Sequence, residues 1–357
     1  MEVLSNKIRD FRSHLFFLGE RMRAWSQNGL KLTLDSRSIR KQVAHSPRFR
    51  SLVTMPWMDA SYVYIAQGIS WEWNVKASLS GSSRAAYVEG AHLIAAYERD
   101  PQEALALLGP GRVIFLYPFL NYDRVLDWLR ENFFIFMITW DDSFGFYARS
   151  HVRRLRYADC ALSQMPGNAC KYRSIGVPWL WMPEGGHANA QCAVAPREFR
   201  AAYVGNRFGR RGRLIARLEE SLGDTFHAYG PGSRRGMIDS EAAQQVQREA
   251  SVSIACSDLA FGFGLTHLKC RHFEIPCSGG LMLAEWTPEL ARVYDCEREI
   301  LTFQNFKDCL EKIEWVRTHP QEADKIRRAG HARAVRDHTW RNRFETILAE
   351  LHEAAAF

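Results

Sequence analysis

The chain has 357 residues and a formal net charge of +7, and 46% of its residues are hydrophobic and 24% charged. This is the composition of a soluble globular protein, long enough for two domains. No apolar run approaches the roughly eighteen residues that span a membrane, and the N-terminus lacks a signal-peptide pattern. The eight cysteines contain no Cys-x-x-Cys pair, which argues against a disulfide framework or a zinc site and favours the cytoplasm.

The net charge is concentrated at the start of the chain. Residues 1–50 hold eleven Lys or Arg against four Asp or Glu, whereas the rest of the chain holds 36 of each. One interpretation is an ordinary solvated basic face. The other is an electrostatic arm that attracts an anionic partner such as nucleic acid, an acidic glycan or a membrane surface.

Strand-like and helix-like segments alternate in the middle of the chain. The predicted strands are Arg112–Phe119, Phe133–Trp140, Cys160–Ser163 and Val177–Met182, and the predicted helices are Tyr122–Arg130, Tyr147–Tyr157 and Asn168–Ile175. Repeated strand–helix–strand units indicate an open parallel sheet with helices on both faces. Such sheets bind ligands at the C-terminal ends of their strands.

Two adjacent carboxylates follow one of these strands. Asp141 and Asp142 come directly after Trp140, at the predicted C-terminal end of a buried strand. Asp142 or Asp141 could act as a general base on an acceptor hydroxyl, or position that hydroxyl. Either residue could equally cap the helix that follows.

A second alternating series starts after a stretch rich in Pro, Gly, Ala and Asn from Pro183 to Pro196, which predicts a domain boundary. The elements of this series are the strands Phe199–Val204, Thr225–Tyr229 and Ser251–Cys256 and the helices Leu214–Leu222 and Glu241–Glu249. The chain therefore repeats one α/β arrangement twice.

A basic, glycine-rich loop follows the first strand of the second series. Its predicted ligand-binding residues are Gly205, Asn206, Arg207, Arg210 and Arg211. Arginine side chains beside a helix N-terminus suit a diphosphate, because guanidinium groups and unpaired backbone N–H groups both bind phosphate oxygens. The alternative is an exposed arginine cluster flanking a helix.

The segment from 271 to 287 is the other candidate ligand-binding region. It places charged or polar side chains around a glycine turn and a short apolar strand; the predicted residues are Arg271, Glu274, Gly279, Gly280, Leu281, Glu285 and Thr287. A carboxylate together with bare backbone N–H groups suits a ligand that offers ribose hydroxyls and phosphates. The alternative is a buried helix-to-strand turn with two incidental charges.

This region also carries a series of motifs in a fixed order. They are Arg271-His272-Phe273-Glu274, Gly279-Gly280, Glu285-Trp286-Thr287-Pro288-Glu289-Leu290, Glu299-Ile300, His319-Pro320, and His338-Thr339-Trp340 with Arg343. With them, the segment from Leu268 to Leu348 resembles the C-terminal half of the CgeB-like glycosyltransferases. The resemblance implies the GT-B fold: two Rossmann-like domains facing a cleft, with a C-terminal helix crossing back to the first domain.

The resemblance also implies roles for individual residues. Arg211 matches a position that neutralises the leaving diphosphate, and Glu274 matches a glutamate that binds the ribose hydroxyls. The strand end at Tyr229-Gly230 is implied to border the nucleotide base. One departure is Thr266, which stands where the wider superfamily has a first glutamate. A second departure is Asn206, at the superfamily's arginine position, with Arg207 one residue later.

The implied activity is sugar transfer from a nucleoside-diphosphate sugar, with UDP-sugars favoured, to an acceptor hydroxyl without a metal or other cofactor. The acceptor would be a glycan or a protein, or a nucleic acid recruited by the basic segment. The alternatives are a non-catalytic binding protein with the same fold and a sugar-nucleotide epimerase. The implied domains are a basic segment at 1–50, an acceptor domain at 51–195, a nucleotide-sugar domain at 196–335 and a crossover helix at 336–357.

Overall fold

The computed structural model describes residues 61–69, 72–109, 113–117, 122–139, 153–165, 172, 175–188, 198–207, 209–257 and 267–355. The basic segment at 1–50, the carboxylates Asp141 and Asp142, and Thr266 lie outside these residues. The described residues form two compact units. Unit 1 comprises those within 61–72, 79–183 and 344–355, and unit 2 those within 73–78 and 184–343.

Unit 1 is built on a six-stranded parallel sheet. Its strands are β1 (Tyr62–Ala66), β2 (Ala85–Glu89), β3 (Val113–Leu116), β4 (Phe134–Thr139), β5 (Cys160–Ser163) and β6 (Trp179–Trp181), in the order β2-β1-β3-β4-β5-β6. Every residue of β1, β3, β4 and β5 is buried, as expected for a parallel sheet covered on both faces.

Four helices accompany the first four strands in sequence: α1 (Trp73–Leu79), α2 (Gly90–Arg99), α3 (Pro101–Leu108) and α4 (Asp123–Asn132). The start of α3 follows the rules of helix capping. Asp100 accepts a hydrogen bond from the backbone N–H of Gln102, and Pro101 occupies the first helical position, where its missing N–H costs nothing. Strands β1 and β2 were not among the predicted elements.

Unit 2 contains a five-stranded parallel sheet. Its strands are β7 (Phe199–Val204), β8 (Phe226–Tyr229), β9 (Ala250–Ala255), β10 (Met282–Glu285) and β11 (Leu301–Phe303), in the order β11-β10-β9-β7-β8. The helices are α5 (Gly209–Leu222), α6 (Ser240–Glu249), α7 (Arg271–Cys277), α8 (Leu290–Val293), α9 (Phe306–Thr318), α10 (Pro320–Asp337) and α11 (Trp340–Ala355). The predicted α/β class with two parallel sheets is confirmed.

The last helix joins the two groups of residues. Helix α11 begins in unit 2, and its residues from Phe344 onward group with unit 1. The Phe344 ring lies 4.5 Å from the Phe115 ring and 5.8 Å from the Tyr62 ring, measured between centroids. No helix in the described part of the chain is both long and apolar enough to cross a membrane.

Candidate functional site

The register of the unit 2 sheet shows which residues share its C-terminal edge. Val204 of β7 pairs with Tyr229 of β8, and Ala255 of β9 pairs with Ala284 of β10. The residues that follow these positions, among them Gly205, therefore leave the sheet at one edge. Ligands of open parallel sheets bind at this edge.

Gly205 makes room for an arginine. A Cβ atom at position 205 would overlap the guanidinium of Arg271 and lie 3.1 Å from the Tyr203 hydroxyl oxygen. Gly205 also has a φ of 147°, a conformation that residues with a Cβ rarely adopt. The predicted loop glycine therefore serves the predicted arginine of the second motif, 66 residues away in sequence.

Tyr203 links two arginines. Nη1 of Arg271 donates to the Tyr203 hydroxyl at 3.3 Å, and this hydroxyl donates to the carbonyl of Asn206 at 2.7 Å. Burial raises the pKa of Tyr203, and the positive charges of Arg271 and Arg211 oppose the rise, which places both arginines near this ring. Sequence analysis missed Tyr203, since nothing distinguishes it from a core tyrosine of a strand.

Arg211 lies in the first turn of α5 and is only 5% exposed. Within the described part of the chain, the buried Nε atoms of Arg211 and Arg271 have no hydrogen-bond partner, and neither side chain forms an ion pair. Two positive charges therefore converge beside a helix N-terminus, with the Glu274 carboxylate near Arg271 but in no ion pair with it. We call Tyr203, Gly205, Arg211 and Arg271 the arginine cluster.

The other two predicted arginines are neutralised. Arg207 forms a two-fold ion pair with Glu219 of α5, at 3.0 and 2.6 Å. Arg210 pairs with Glu285 at 2.8 Å. Arg207 and Arg210 therefore differ from Arg211 and Arg271, because each of them forms an ion pair with a carboxylate of the protein.

Glu274 lies one turn along α7 from Arg271. Its Oε1 accepts a hydrogen bond of 2.5 Å from Nδ2 of Asn74. Burial is the main cause that raises the pKa of Glu274 to about 7; Arg271 and the Asn74 hydrogen bond oppose the rise, and Glu184 contributes to it. The side chain keeps part of its surface open to solvent, so a ligand could reach it.

Two histidines border the arginine cluster as neutral imidazoles. Burial lowers the pKa of His267, and it lowers that of His272 to about 3. The Lys269 N–H donates to Nδ1 of His272 at 2.9 Å. Nε2 of His272 therefore carries the proton and donates to the Ser257 hydroxyl at 3.2 Å. A neutral imidazole avoids adding a third positive charge.

Three predicted residues lie at the opposite edge of the sheet, which corrects their assignment to the same site. Gly279, Gly280 and Leu281 precede β10, and four residues of a strand at about 3.3 Å each separate Leu281 from Glu285 by roughly 13 Å. A Cβ atom on Gly280 would approach the Gln247 carbonyl of α6. These glycines allow the α7–β10 turn to pack against α6.

Thr287 has a structural role as well. Its side chain is buried, and its Oγ1 accepts a hydrogen bond of 3.3 Å from the N–H of Leu290 at the start of α8. The remaining predicted residues, Tyr229 and Gly230, lie at the C-terminal edge. The Gly205 N–H donates to the Tyr229 carbonyl at 2.9 Å, so the β8 end lies beside the arginine cluster.

Residues 210–349 match a family model described as "Glycosyl transferase-like". No curated protein matches the sequence.

Solved structures are similar in fold. An α-glucosyltransferase in complex with UDP and a 13-mer DNA has a TM-score of 0.54 at 12% identity, over 82% of this chain and 99% of that chain. HepE from Anabaena in complex with UDP-glucose has a TM-score of 0.52 at 10% identity, over 82% and 99% of the two chains. TarM has a TM-score of 0.45 at 12% identity, and the match covers 67% of this chain and 54% of TarM.

The chain has the GT-B fold and carries a glycosyl transferase-like domain. The predicted fold is thereby confirmed, and the family match supports the predicted glycosyltransferase class. The matched family is broader than the CgeB-like branch, which stays a prediction.

Proposed function

We propose that this protein transfers a sugar from a nucleoside-diphosphate sugar, preferably a UDP-sugar, to an acceptor hydroxyl. The observation that carries the proposal is the arginine cluster. Arg211 and Arg271 both approach Tyr203 beside the N-terminus of α5, and no carboxylate in the described part of the chain pairs with them. A diphosphate supplies the missing negative charge.

Each part of the donor has a candidate partner. Arg211 and Arg271, which lie beside Gly205, would bind the diphosphate. The Glu274 carboxylate would accept hydrogen bonds from the ribose hydroxyls, and Tyr229-Gly230 would border the base. Negative charge grows on the diphosphate as the glycosidic bond breaks, so the arginines would stabilise the transition state more than the bound substrate.

We also propose that the reaction is metal-independent, because two arginines can carry the charge of the leaving diphosphate. A general base for the acceptor hydroxyl is assigned to Asp142 or Asp141, on the sequence pattern alone. Turnover that persists in EDTA would support a metal-independent reaction. Loss of turnover in Asp142→Asn or Asp141→Asn, with donor binding intact, would support a general base at that position.

The acceptor is proposed to be a glycan or a protein, following the resemblance to the CgeB-like branch. The +7 balance of residues 1–50 favours a second candidate, a nucleic acid. The α-glucosyltransferase of similar fold was solved with DNA. Nucleic-acid binding through these residues should weaken steeply with salt, by about 0.9 in log affinity per phosphate neutralised and log unit of salt. A duplex-DNA titration at two salt concentrations tests the nucleic-acid candidate. It compares the parent with a variant that has Gln at Arg37, Arg40, Lys41, Arg48 and Arg50. Weak binding that responds neither to salt nor to these substitutions would reject a nucleic-acid acceptor.

The donor is tested with a panel of UDP-, GDP- and dTDP-sugars, read by the shift in melting temperature that ligand binding produces. Donor hydrolysis or transfer is then measured with the sugars that bind. A panel in which one nucleotide stabilises the protein supports the proposal. Binding without turnover on any acceptor would favour the alternative, a binding protein that keeps the GT-B fold.

A further inference from the structure

All of helix α1 except its last residue groups with unit 2, although the helix lies between two strands of unit 1 in sequence. Residues 73–78 group with unit 2, and three of their side chains contact it. Trp73 packs edge-on to His187 at 6.3 Å, and Ser78 Oγ accepts from the Arg341 N–H at 3.1 Å. The third contact is the hydrogen bond from Asn74 to Glu274.

Asn74 is fully buried, and only half of its amide is used. Nδ2 donates to Glu274, whereas Oδ1 has no hydrogen-bond partner in the part of the chain that the structure describes. A buried amide without its full set of hydrogen bonds is destabilising compared with an apolar side chain of the same size. Its presence at this position therefore indicates a role that an apolar residue cannot fill.

We propose that Asn74 is a positioning residue of the donor site, which fixes the Glu274 carboxylate in place through its hydrogen bond. The inference rests on the proposed function, in which Glu274 binds the ribose hydroxyls. With Oε1 held by Asn74, Oε2 would be left to accept hydrogen bonds from the ribose hydroxyls. The contact joins residues 200 apart in sequence.

The surroundings of Glu274 explain why such help is needed. The charged and titratable groups that face it are Cys270 just before α7, Arg271 and Cys277 at the two ends of α7, and Glu184. Burial raises the pKa of both thiols, so they stay neutral near pH 7. Burial and Glu184 favour the protonated carboxyl group, while Arg271 and Asn74 favour the carboxylate. Removing the Asn74 amide should therefore shift ionisation to higher pH.

The test is UDP affinity measured between about pH 5.5 and pH 8.5 on the full chain. For the parent, affinity should fall as the pH drops through about 7, the pKa of Glu274, because the protonated group accepts hydrogen bonds less well. In Asn74→Leu, affinity at pH 7 should be about tenfold lower, the midpoint should move to higher pH, and much of the loss should be recovered at pH 8.5. The control is Ser78→Ala, which removes another hydrogen bond of α1 and should keep the parent's profile.

A second comparison separates positioning from a general structural effect. Glu274→Gln removes the titration of Glu274 and leaves only that of UDP itself, and adding Asn74→Leu to it should change UDP affinity less than twofold. If Asn74→Leu does not fold, Asn74→Asp keeps the size and should also move the midpoint upward, because it adds a carboxylate. An unmoved midpoint in the Asn74 variants, with a parent that binds UDP, overturns this inference alone. A parent that binds none of UDP, GDP and dTDP overturns the proposed function and this inference with it.

Discussion

The two edges of the unit 2 sheet use the same residue types in different ways. At the C-terminal edge, Arg271 lies against Gly205 and contacts a tyrosine hydroxyl. At the opposite edge, Arg327 is 2% exposed, donates to the Gly279 carbonyl at 2.9 Å and pairs with Asp324 at 2.8 Å. Arg327 thus forms an ion pair with a carboxylate and a hydrogen bond with a carbonyl, whereas Arg271 forms no ion pair with a carboxylate of the described residues. An arginine beside a glycine indicates a ligand site only where protein groups leave its charge uncompensated.

The largest effect should come from Arg211. Arg211→Ala should lower turnover by about a hundred- to a thousandfold, because the lost charge stabilises the leaving diphosphate most in the transition state. Donor affinity should fall much less. Steady-state kinetics with the donor identified by the panel measure both. The control is Arg213→Ala, which removes an exposed arginine from the same turn of α5, and equal losses in the two variants would contradict the assignment.

The next effect concerns Glu274. Glu274→Ala should weaken donor binding ten- to a hundredfold, since hydrogen bonds to a charged group contribute about 1.5–3 kcal/mol. Isothermal titration calorimetry at pH 8, where the parent carboxylate is ionised, gives the affinity. Glu220→Ala removes an exposed carboxylate of the same unit and should bind like the parent. Unchanged affinity in Glu274→Ala would remove Glu274 from the site.

Arg327 should show the opposite behaviour. Arg327→Leu should reduce the free energy of unfolding by about 2–3 kcal/mol, because Gly279 and Asp324 each lose a buried partner. The folded variant should bind UDP with the parent's affinity. Chemical denaturation measures the free energy of unfolding, and calorimetry measures the affinity for UDP. Arg328→Ala provides the control, since Arg328 pairs with the same Asp324 from an exposed position and should change stability little. Weakened UDP binding in folded Arg327→Leu would contradict the contrast between the edges.

The smallest effect is expected for Gly205→Ala. The new methyl group should displace the Arg271 guanidinium and weaken UDP binding about tenfold, which corresponds to roughly 1.4 kcal/mol. Gly223→Ala serves as the control for backbone strain, because Gly223 has a φ of 55° with open space around its missing Cβ. Both variants should lose stability, and only Gly205→Ala should lose affinity. Equal UDP affinities of the two variants would show that the position of the Arg271 guanidinium does not depend on Gly205.

The sequence was sufficient to predict local features. Strand β7 runs from Phe199 to Val204 as predicted, because its apolar run is bounded by clear turn signals. Arg211, Arg271 and Glu274 were predicted to bind the donor from charged residues near glycine-rich turns and helix starts and from the family resemblance, and their roles stay predictions. A glycine turn that precedes a parallel strand lies at the N-terminal edge, so the position of Gly279 and Gly280 could have been deduced from strand direction.

Other features depend on contacts that no local pattern reveals. The ion pair between Arg207 and Glu219 forms because the loop folds back on α5, so spacing alone made Arg207 look available to a ligand. Asn74 lies 200 residues from its partner Glu274, and an isolated asparagine in a short helix gives no signal of such a contact.

The central claim is that Arg211 and Arg271, neither of which forms an ion pair with a described residue, form a diphosphate site at the C-terminal edge of the unit 2 sheet. Calorimetric titration of the parent and of Arg211→Ala with UDP and with UMP tests it most directly, because the two ligands differ by one phosphate. The account predicts that the parent binds UDP at least about tenfold more tightly than UMP, and that Arg211→Ala removes most of this difference. A parent that binds UDP and UMP equally well, or a difference that survives in Arg211→Ala, would contradict it.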